Sequence, residues 1–209
     1  MTKKRFYIPP GENKFYVQAL LLSKVVERIL SKRAGIFLSS RPQMERCNIV
    51  SFMKKMRING LTKFDEKTFI SFVNYFRKES DMDKGNAAGA VIVYIPETYV
   101  YRLMHKLDYP VEDETDISGL LDACGTFCNL VAGNFKNGLT QIGYQELVMS
   151  HFSSHENSVF NGIPFDNHEE EYFQISFEIE REKRIVVDLT LGDIGHEFEV
   201  KDWTFFEDE

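Results

Sequence analysis

The sequence predicts an α+β fold in which long helices pack on a largely antiparallel sheet. Segments 12–32 and 116–139 repeat apolar residues at helical spacing. Segments 67–77 and 88–95 are dense in β-branched, aromatic or continuous apolar residues, and segment 171–180 alternates apolar with polar side chains. A short polar turn joins 171–180 to 183–191, which predicts an antiparallel hairpin. Both kinds of element are long enough to share one core.

The predicted elements follow one another in two similar rounds. A helix at 12–32 precedes strands at 48–59, 67–77 and 88–95, with 78–85 as a polar loop. Pro96 stops the third strand and begins a short helix that reaches about Lys106. The helix at 116–139 then precedes strands at 145–149, 171–180 and 183–191, with 153–164 as a loop. This order of a helix and three strands, repeated after a short helix, is a weak symmetry of organisation.

These boundaries divide the chain into a tail, a domain and an extension. Residues 1–11 form the tail, residues 12–192 the domain, and residues 193–209 an acidic, aromatic extension. The extension is either a docking tail or a terminal strand that packs on the domain. The total of 209 residues suits one domain with a sizeable core, or one domain with an elaborated edge.

The composition excludes several classes of protein. Apolar residues make up 43% of the chain, which is typical of a globular protein. The net charge of −7 and the pI near 5.4 disfavour nucleic-acid binding through the overall field. No apolar run is long enough to cross a bilayer, and the N-terminal segment lacks the apolar core of a secretory signal. We therefore expect a cytoplasmic protein without membrane insertion.

The helix at 116–139 is the most informative segment because its polar face is unusual. That face carries two glycines and short polar side chains, whereas solvated helices usually carry Lys, Glu, Arg or Gln. Each exposed glycine in a helix costs about 1 kcal/mol relative to alanine. A shallow strip of this kind lets another backbone or a partner protein approach closely. The core side comprises Ile117, Leu120, Leu121, Cys124, Phe127, Cys128, Val131 and Phe135, and the opposite side comprises Ser118, Asp122, Gly125, Thr126, Asn129, Gly133 and Lys136.

The same helix resembles the central helix of the chemotaxis phosphatases CheC, CheX and FliY. The motif of that family is Asp or Ser, three residues, Glu, two residues and Asn. Asp122 matches its first position and Asn129 its last, whereas Thr126 replaces the glutamate. The following run, NLVAGNFKNGL, resembles the small-residue AGN segment of the family helix. The order of elements over roughly residues 12–192 is also similar to the CheX layout, which is built from a pseudo-duplicated unit of a helix plus three strands.

The resemblance implies a function. Members of the resembled family dock on a phosphorylated CheY-like receiver domain, and an inserted asparagine orients the water that hydrolyses the aspartyl phosphate. Asn129 would be the catalytic residue, and Asp122, Gly125, Thr126 and Gly133 would contact the receiver. No cofactor is expected here, because the receiver itself holds the Mg²⁺. The resemblance also implies a homodimer, and aromatic strand residues such as Tyr75 and Phe76 are compatible with a covered sheet edge.

Thr126 leaves three hypotheses open. Threonine is shorter than glutamate and carries no charge, so the ionic part of the grip on the receiver is missing, although Asp122 can substitute in part. The chain is therefore a weak phosphatase, a receiver-binding module without turnover, or a structural dimer subunit of a signalling or flagellar assembly.

Other candidate sites are weaker. Cys124 and Cys128 are either a thiol pair or two small buried apolar residues, and the second interpretation is favoured. His151 and His155 have a spacing that suits a metal only on a helix, and they fall in a strand and loop region. The acidic run 112–116 is read as solvated acids near a helix N-terminus, with Thr115 as its N-cap. Common hydrolase and nucleotide-binding motifs are absent.

Overall fold

A mixed arrangement of strands and helices appears in the computed structural model, which describes residues 3–5, 14–52, 55–164, 171–195 and 204–206. The helices in this part of the chain are α1 (Lys14–Arg33), α2 (Glu79–Asp83), α3 (Glu97–Lys106) and α4 (Ile117–Gln141), with a short 3₁₀ turn at Gly60–Thr62. The strands are β1 (Lys3–Arg5), β2 (Gln43–Asn48), β3 (Ser51–Phe52), β4 (Lys55–Asn59), β5 (Thr68–Phe76), β6 (Gly89–Pro96), β7 (Val148–Met149), β8 (Ser153–Glu156), β9 (Val159–Pro164), β10 (Glu171–Ile179), β11 (Glu182–Leu191) and β12 (Thr204–Phe206).

The main sheet has the order β2-β10-β11-β6-β5, with β7 and β8 both paired to the outer side of β5. Every pairing is antiparallel. All residues of β6 are buried, so this central strand is covered on both faces. Glu180 and Arg181 have φ values of 56° and 67°, as the two central residues of a tight hairpin turn require. The predicted hairpin is therefore confirmed, and the fold is the expected α+β class.

The main sheet also confirms the predicted pseudo-duplication. The first unit supplies α1, β2, β5 and β6, and the second supplies α4, β7 with β8, β10 and β11. The units interlock, because β2 pairs with β10 of the second unit whereas β7 and β8 pair with β5 of the first. The central strands β6 and β11 join the two halves.

One strand prediction and two loop predictions were wrong. Segment 48–59 is not a single strand of the main sheet, since β3 and β4 join β9 in a separate small sheet. The true first strand is β2, whose mostly polar sequence QMERCN gives little signal. The predicted loop 153–164 contains β8 and β9, and the predicted loop 78–85 contains the short helix α2. Tertiary pairing overrides weak local preference at such places.

The two ends of the chain meet in the described residues. Strands β1 and β12 pair in antiparallel fashion, with Lys3 opposite Phe206 and Arg5 opposite Thr204. Residues 204–206 of the extension therefore form a strand that pairs with residues 3–5 of the tail in a separate two-stranded sheet. Residues 1–2 and 6–11 of the tail, and residues 196–203 and 207–209 of the extension, lie outside the described residues.

The helices and the small sheet cover opposite faces of the main sheet. Helices α1, α3 and α4 share the larger apolar core with one face, which includes Phe69, Val73 and Tyr75 of β5. On the other face, Met56 and Ile58 of β4 join a second core with Ile70, Phe72 and others of the main sheet. Alternate residues of β5 thus face different cores, as the pleat of a strand requires.

A buried ion pair lies on the face covered by the small sheet. Lys63 Nζ is 2.9 Å from Asp188 Oδ1 and 2.7 Å from Asp188 Oδ2. It also donates to Gln174 Oε1 at 2.6 Å and lies 4.8 Å from the centre of the Tyr94 ring. Lys63 is 6% exposed and Asp188 is 1% exposed. Burial raises the pKa of Asp188 above its usual value, although Lys63 and the Tyr94 hydroxyl act in the opposite direction.

We expect the removal of either buried charge to destabilise the fold. Lys63→Met or Asp188→Asn should each lower the free energy of unfolding by about 3–5 kcal/mol, because the remaining charge stays buried without its partner. The double variant should recover a large part of the loss. Urea denaturation measures these changes, and Lys24→Met, which breaks the exposed Lys24–Glu27 pair, is the control that should cost little. Additive losses in the double variant would contradict this account.

Candidate functional site

The candidate site lies on α4, and its N-terminus is fixed by two aspartates. Asp116 is the N-cap, and its Oδ1 accepts a hydrogen bond from the Gly119 amide at 2.9 Å. The predicted N-cap, Thr115, was wrong by one residue, because Thr115 instead donates its amide and hydroxyl to Asp113 Oδ1. These hydrogen bonds lower the pKa of Asp113. Both acids therefore serve the helix start, in line with the interpretation of this run as helix-terminal acids.

Helix α4 is seated on β5 by buried contacts. Tyr75 donates its hydroxyl hydrogen to the Ala132 carbonyl at 2.8 Å, and the Cys128 thiol lies 3.4 Å from the Ser71 carbonyl. Burial raises the pKa of Tyr75 well above its usual value, so the hydroxyl stays protonated and remains a donor. Tyr75 thus points from the sheet into the helix rather than marking a sheet edge. Six of the eight residues that the sequence placed on the core side of α4 are buried, and Ile117 and Leu121 are partly buried.

The two cysteines of α4 are small buried residues, as the favoured interpretation stated. Cys124 is 1% exposed and Cys128 is fully buried. Burial raises the pKa of both thiols far above the usual value, so neither is a reactive thiolate. Among the described residues, no group of three His, Cys, Asp or Glu side chains is arranged to hold a metal ion.

Four of the five predicted site residues fall on the solvent side of α4. Asp122 and Asn129 are exposed, and Thr126 and Gly133 are partly exposed. Asp122 and Asn129 lie about 20° apart around the helix axis, since they are seven residues apart at about 100° per residue. They form one row along the helix surface. The expected open side of α4 is therefore confirmed at these four residues.

The Asn129 amide is not held by the rest of the described chain. No hydrogen bond to its side chain comes from another described residue. Asn134 provides a contrast on the same helix, because its Nδ2 donates to the Leu130 carbonyl at 2.8 Å. Asn129 therefore keeps one acceptor and two donor hydrogens for an incoming molecule.

Gly125 differs from the expectation of an open strip. It is buried, because the ring of Phe152 lies against the helix backbone at this residue. A Cβ atom added to Gly125 would overlap ring carbons Cδ2 and Cε2 of Phe152. The close approach that Gly125 predicted is observed, but the approaching group is Phe152 of the same chain and not a partner protein. By contrast, a Cβ atom on Gly133 would meet no atom within 4 Å.

The segment that carries Phe152 runs along the outer side of β5. Strand β8 pairs with β5, and the Ser154 and Ser71 hydroxyls share a hydrogen bond of 2.8 Å beneath α4. His155 points to the other face of the sheet, where its ring stacks on Phe72 with centroids 6.0 Å apart. Burial lowers the pKa of His155. His151 and His155 lie on a loop and a strand rather than on a helix, so their spacing does not place them side by side.

Comparison with solved structures identifies the fold. A CheC-like superfamily protein from Shewanella sp. PV-4 has a TM-score of 0.57 at 14% identity, covering 85% of this chain and 97% of that chain. The chemotaxis protein CheX from Desulfovibrio desulfuricans has a TM-score of 0.52 at 14% identity, covering 84% and 99%. The chain has the CheC/CheX-like fold. The resemblance seen in the sequence is thus confirmed for the fold.

A third similar structure contains a partner. It is the complex of CheX with CheY, BeF₃ and Mg²⁺ from Borrelia burgdorferi, with a TM-score of 0.51 at 14% identity, covering 87% of this chain and 100% of that chain. No family model matches this sequence, and no curated protein is found to match it. None of the described helices is long and apolar enough to cross a membrane.

The two glycines of the polar face should respond to alanine in opposite directions. Gly133→Ala should raise the free energy of unfolding by about 1 kcal/mol, because alanine favours the helix and the site is open. Gly125→Ala should lower it, because the new methyl group must displace the Phe152 ring. Thermal unfolding of the two variants, compared with wild type, measures the difference. A stabilised Gly125→Ala variant would show that the ring moves away without cost.

Proposed function

We propose that this protein docks on a phosphorylated CheY-like receiver domain through the exposed face of α4. The observation that carries the proposal is the row formed by Asp122 and the unrestrained Asn129 on a CheC/CheX-like fold. The Borrelia burgdorferi CheX–CheY complex supports it, because a protein with a similar fold binds such a receiver. Receivers act in the cytoplasm, so we place the protein there.

The proposed chemistry is hydrolysis of the aspartyl phosphate of the receiver. The oxygen of a water molecule attacks phosphorus in line with the bond to the aspartate oxygen, and that bond breaks to leave a carboxylate and inorganic phosphate. Mg²⁺ held by the receiver would stabilise the charge on the phosphoryl oxygens. The role of this chain is to insert the Asn129 amide, whose oxygen accepts a hydrogen bond from the water and fixes its position. Such positioning can supply most of the rate enhancement.

Thr126 sets the strength of this activity. It occupies the place where the resembled family has a glutamate, and it offers no charge to a basic residue of the receiver. Asp122 lies one turn away and is the nearest acid on the same face of α4. We therefore propose a weak phosphatase rather than a fast one.

A second function is favoured by the same residue. If Thr126 leaves the receiver too loosely held for Asn129 to place the water, the protein binds receivers without turnover, or serves as a structural dimer module. Decay of the acyl phosphate on a receiver separates these functions from the phosphatase. Pull-down of receivers with and without beryllofluoride separates receiver binding from a purely structural role.

We expect Asn129→Ala to abolish phosphatase turnover while receiver binding is nearly unchanged. The amide acts on the water in the transition state and contributes little to ground-state affinity. Release of inorganic phosphate measures turnover, and the dissociation constant for the activated receiver measures binding. Asn134→Ala is the matched control, since it removes an exposed amide of the same helix that is bound to its own backbone. Unchanged hydrolysis by Asn129→Ala would place the active site elsewhere.

We expect Thr126→Glu to raise phosphatase activity above wild type. The substitution restores the family motif on an existing, partly exposed helix position. If the gain comes from an ion pair with a basic residue of the receiver, it should shrink as the salt concentration rises. No hydrolysis by either wild type or Thr126→Glu, despite tight receiver binding, would favour the non-catalytic module.

We also propose that the protein is a homodimer, as the resemblance to CheX implies. The main sheet has outer strands β2 and β8, each hydrogen-bonded on one side in the described residues, and such edges offer free backbone groups to a second copy. Light scattering at working concentration should give twice the mass of 24.3 kDa. A monomer in that measurement would remove this part of the proposal.

A further inference from the structure

We infer that Phe152 is a contact residue for the receiver and supplies an apolar contact in place of the ionic contact that Thr126 cannot make. The inference rests on the proposed function, because it concerns the same surface of α4. It adds a residue from outside the helix, carried by the segment between β7 and β8.

The ring of Phe152 lies beside the row formed by Asp122 and Asn129, because Gly125 has no side chain that would occupy the same space. Gly125 is three residues from Asp122 and four from Asn129, so it lies within about 6 Å of each along the helix axis. Around the axis, Gly125 is offset by about 60° from Asp122 and about 40° from Asn129. Phe152 therefore flanks the row on the side of β8 and leaves the Asn129 amide open.

The size of a protein interface makes contact with this ring unavoidable. A specific protein–protein interface buries about 800 Å² on each partner, which is a patch roughly 30 Å across. A receiver centred on Asn129 would cover Phe152, which lies against the helix one turn away. Phe152 is only partly buried in the described chain, although it packs against the main core. The exposed part of the Phe152 ring is therefore available for burial by the receiver.

The surroundings of Asn129 also favour an apolar contact over an ionic one. On the exposed side of α4, Lys136 is paired with Glu146 at 3.1 Å, whereas Asp122 forms no ion pair with another described residue. One free carboxylate gives little attraction at physiological salt. An aromatic ring near the centre of an interface is a common site of strong binding energy. Phe152 is the aromatic side chain that the structure places against this row.

The test measures the affinity of a CheY-like receiver that is activated with Mg²⁺ and beryllofluoride. We expect Phe152→Ala to weaken binding about thirty-fold, which corresponds to the loss of a strong interface contact. Phe152→Leu keeps apolar volume against Gly125 and should give a smaller loss. Gly125→Ala keeps the ring but displaces it, so it should also weaken binding. None of these losses should depend strongly on salt, because an apolar contact is not screened.

Two controls separate this inference from the proposed function. Phe37→Ala removes a phenylalanine that is 78% exposed and follows α1, away from β8, so it should leave affinity unchanged. Asn134→Ala in the same assay should also bind like wild type, because the Asn134 amide is already bound to the Leu130 carbonyl. If wild type binds the receiver and both Phe152→Ala and Gly125→Ala bind within two-fold of it, the inference is wrong while the proposed function stands. If wild type does not bind the activated receiver, the proposed function is wrong and the inference fails with it.

Discussion

The seating of α4 on β5 is the constraint on which the candidate site depends. The Tyr75 hydroxyl bonds to a helix carbonyl in the middle of α4, and Cys128 packs one turn earlier against the strand. These contacts fix the rotation of the helix about its own axis. A rotation by one residue, about 100°, would carry Asn129 into the side of the domain. The exposure of Asn129 therefore follows from the buried side of the helix and not from the polar residues themselves.

The two faces of the sheet carry different tasks. The face that the helices cover is apolar and holds α4 in position. The opposite face buries the ion pair between Asp188 and Lys63, which is the residue that follows the 3₁₀ turn. Lys63 and Asp188 bind each other, Lys63 also donates to Gln174, and Asp188 also accepts a hydrogen bond from Tyr94. Few polar atoms of the pair are therefore left to bind a ligand. A fully satisfied buried network specifies one arrangement of the segments that carry it. We therefore assign this cluster to the attachment of the small sheet of β3, β4 and β9 to the main sheet, and not to chemistry.

The sequence predicts those parts of the fold whose signal is local. The apolar periodicity of α1 and α4 and the dense apolar content of β5 and β6 are strong local signals, and the structure contains all four elements. Strands β2 and β8 were missed because they are short, polar edge strands that exist only through pairing with β10 and β5. The Lys63–Asp188 pair joins residues 125 positions apart, so no local pattern could reveal it. The same limit hid Phe152, although the glycine in the helix correctly indicated that something lies close to it.

The candidate site was predictable to the extent that one helix carries it. Asp122, Thr126, Asn129 and Gly133 were placed correctly because helical geometry converts their spacing directly into a shared face. Gly125 was assigned to the open surface because a helical wheel contains no information about neighbouring strands. A glycine on the polar face of a helix can leave the helix surface open to a partner, or it can make room for another group of the same chain. Only the packing of β8 and the residues before it decides between these two cases.

The covered glycine changes what the α4 surface can do. With an open, shallow strip, affinity would depend on close backbone approach and on the charge that Thr126 does not provide. With the ring of Phe152 beside it, the surface instead combines a free amide and an apolar wall. An apolar wall holds a partner in place without contributing to the reaction, because it interacts equally with the ground state and the transition state. Under the proposed function, Phe152 would then contribute to binding and Asn129 to turnover, so selection could retain the first property after the second is lost.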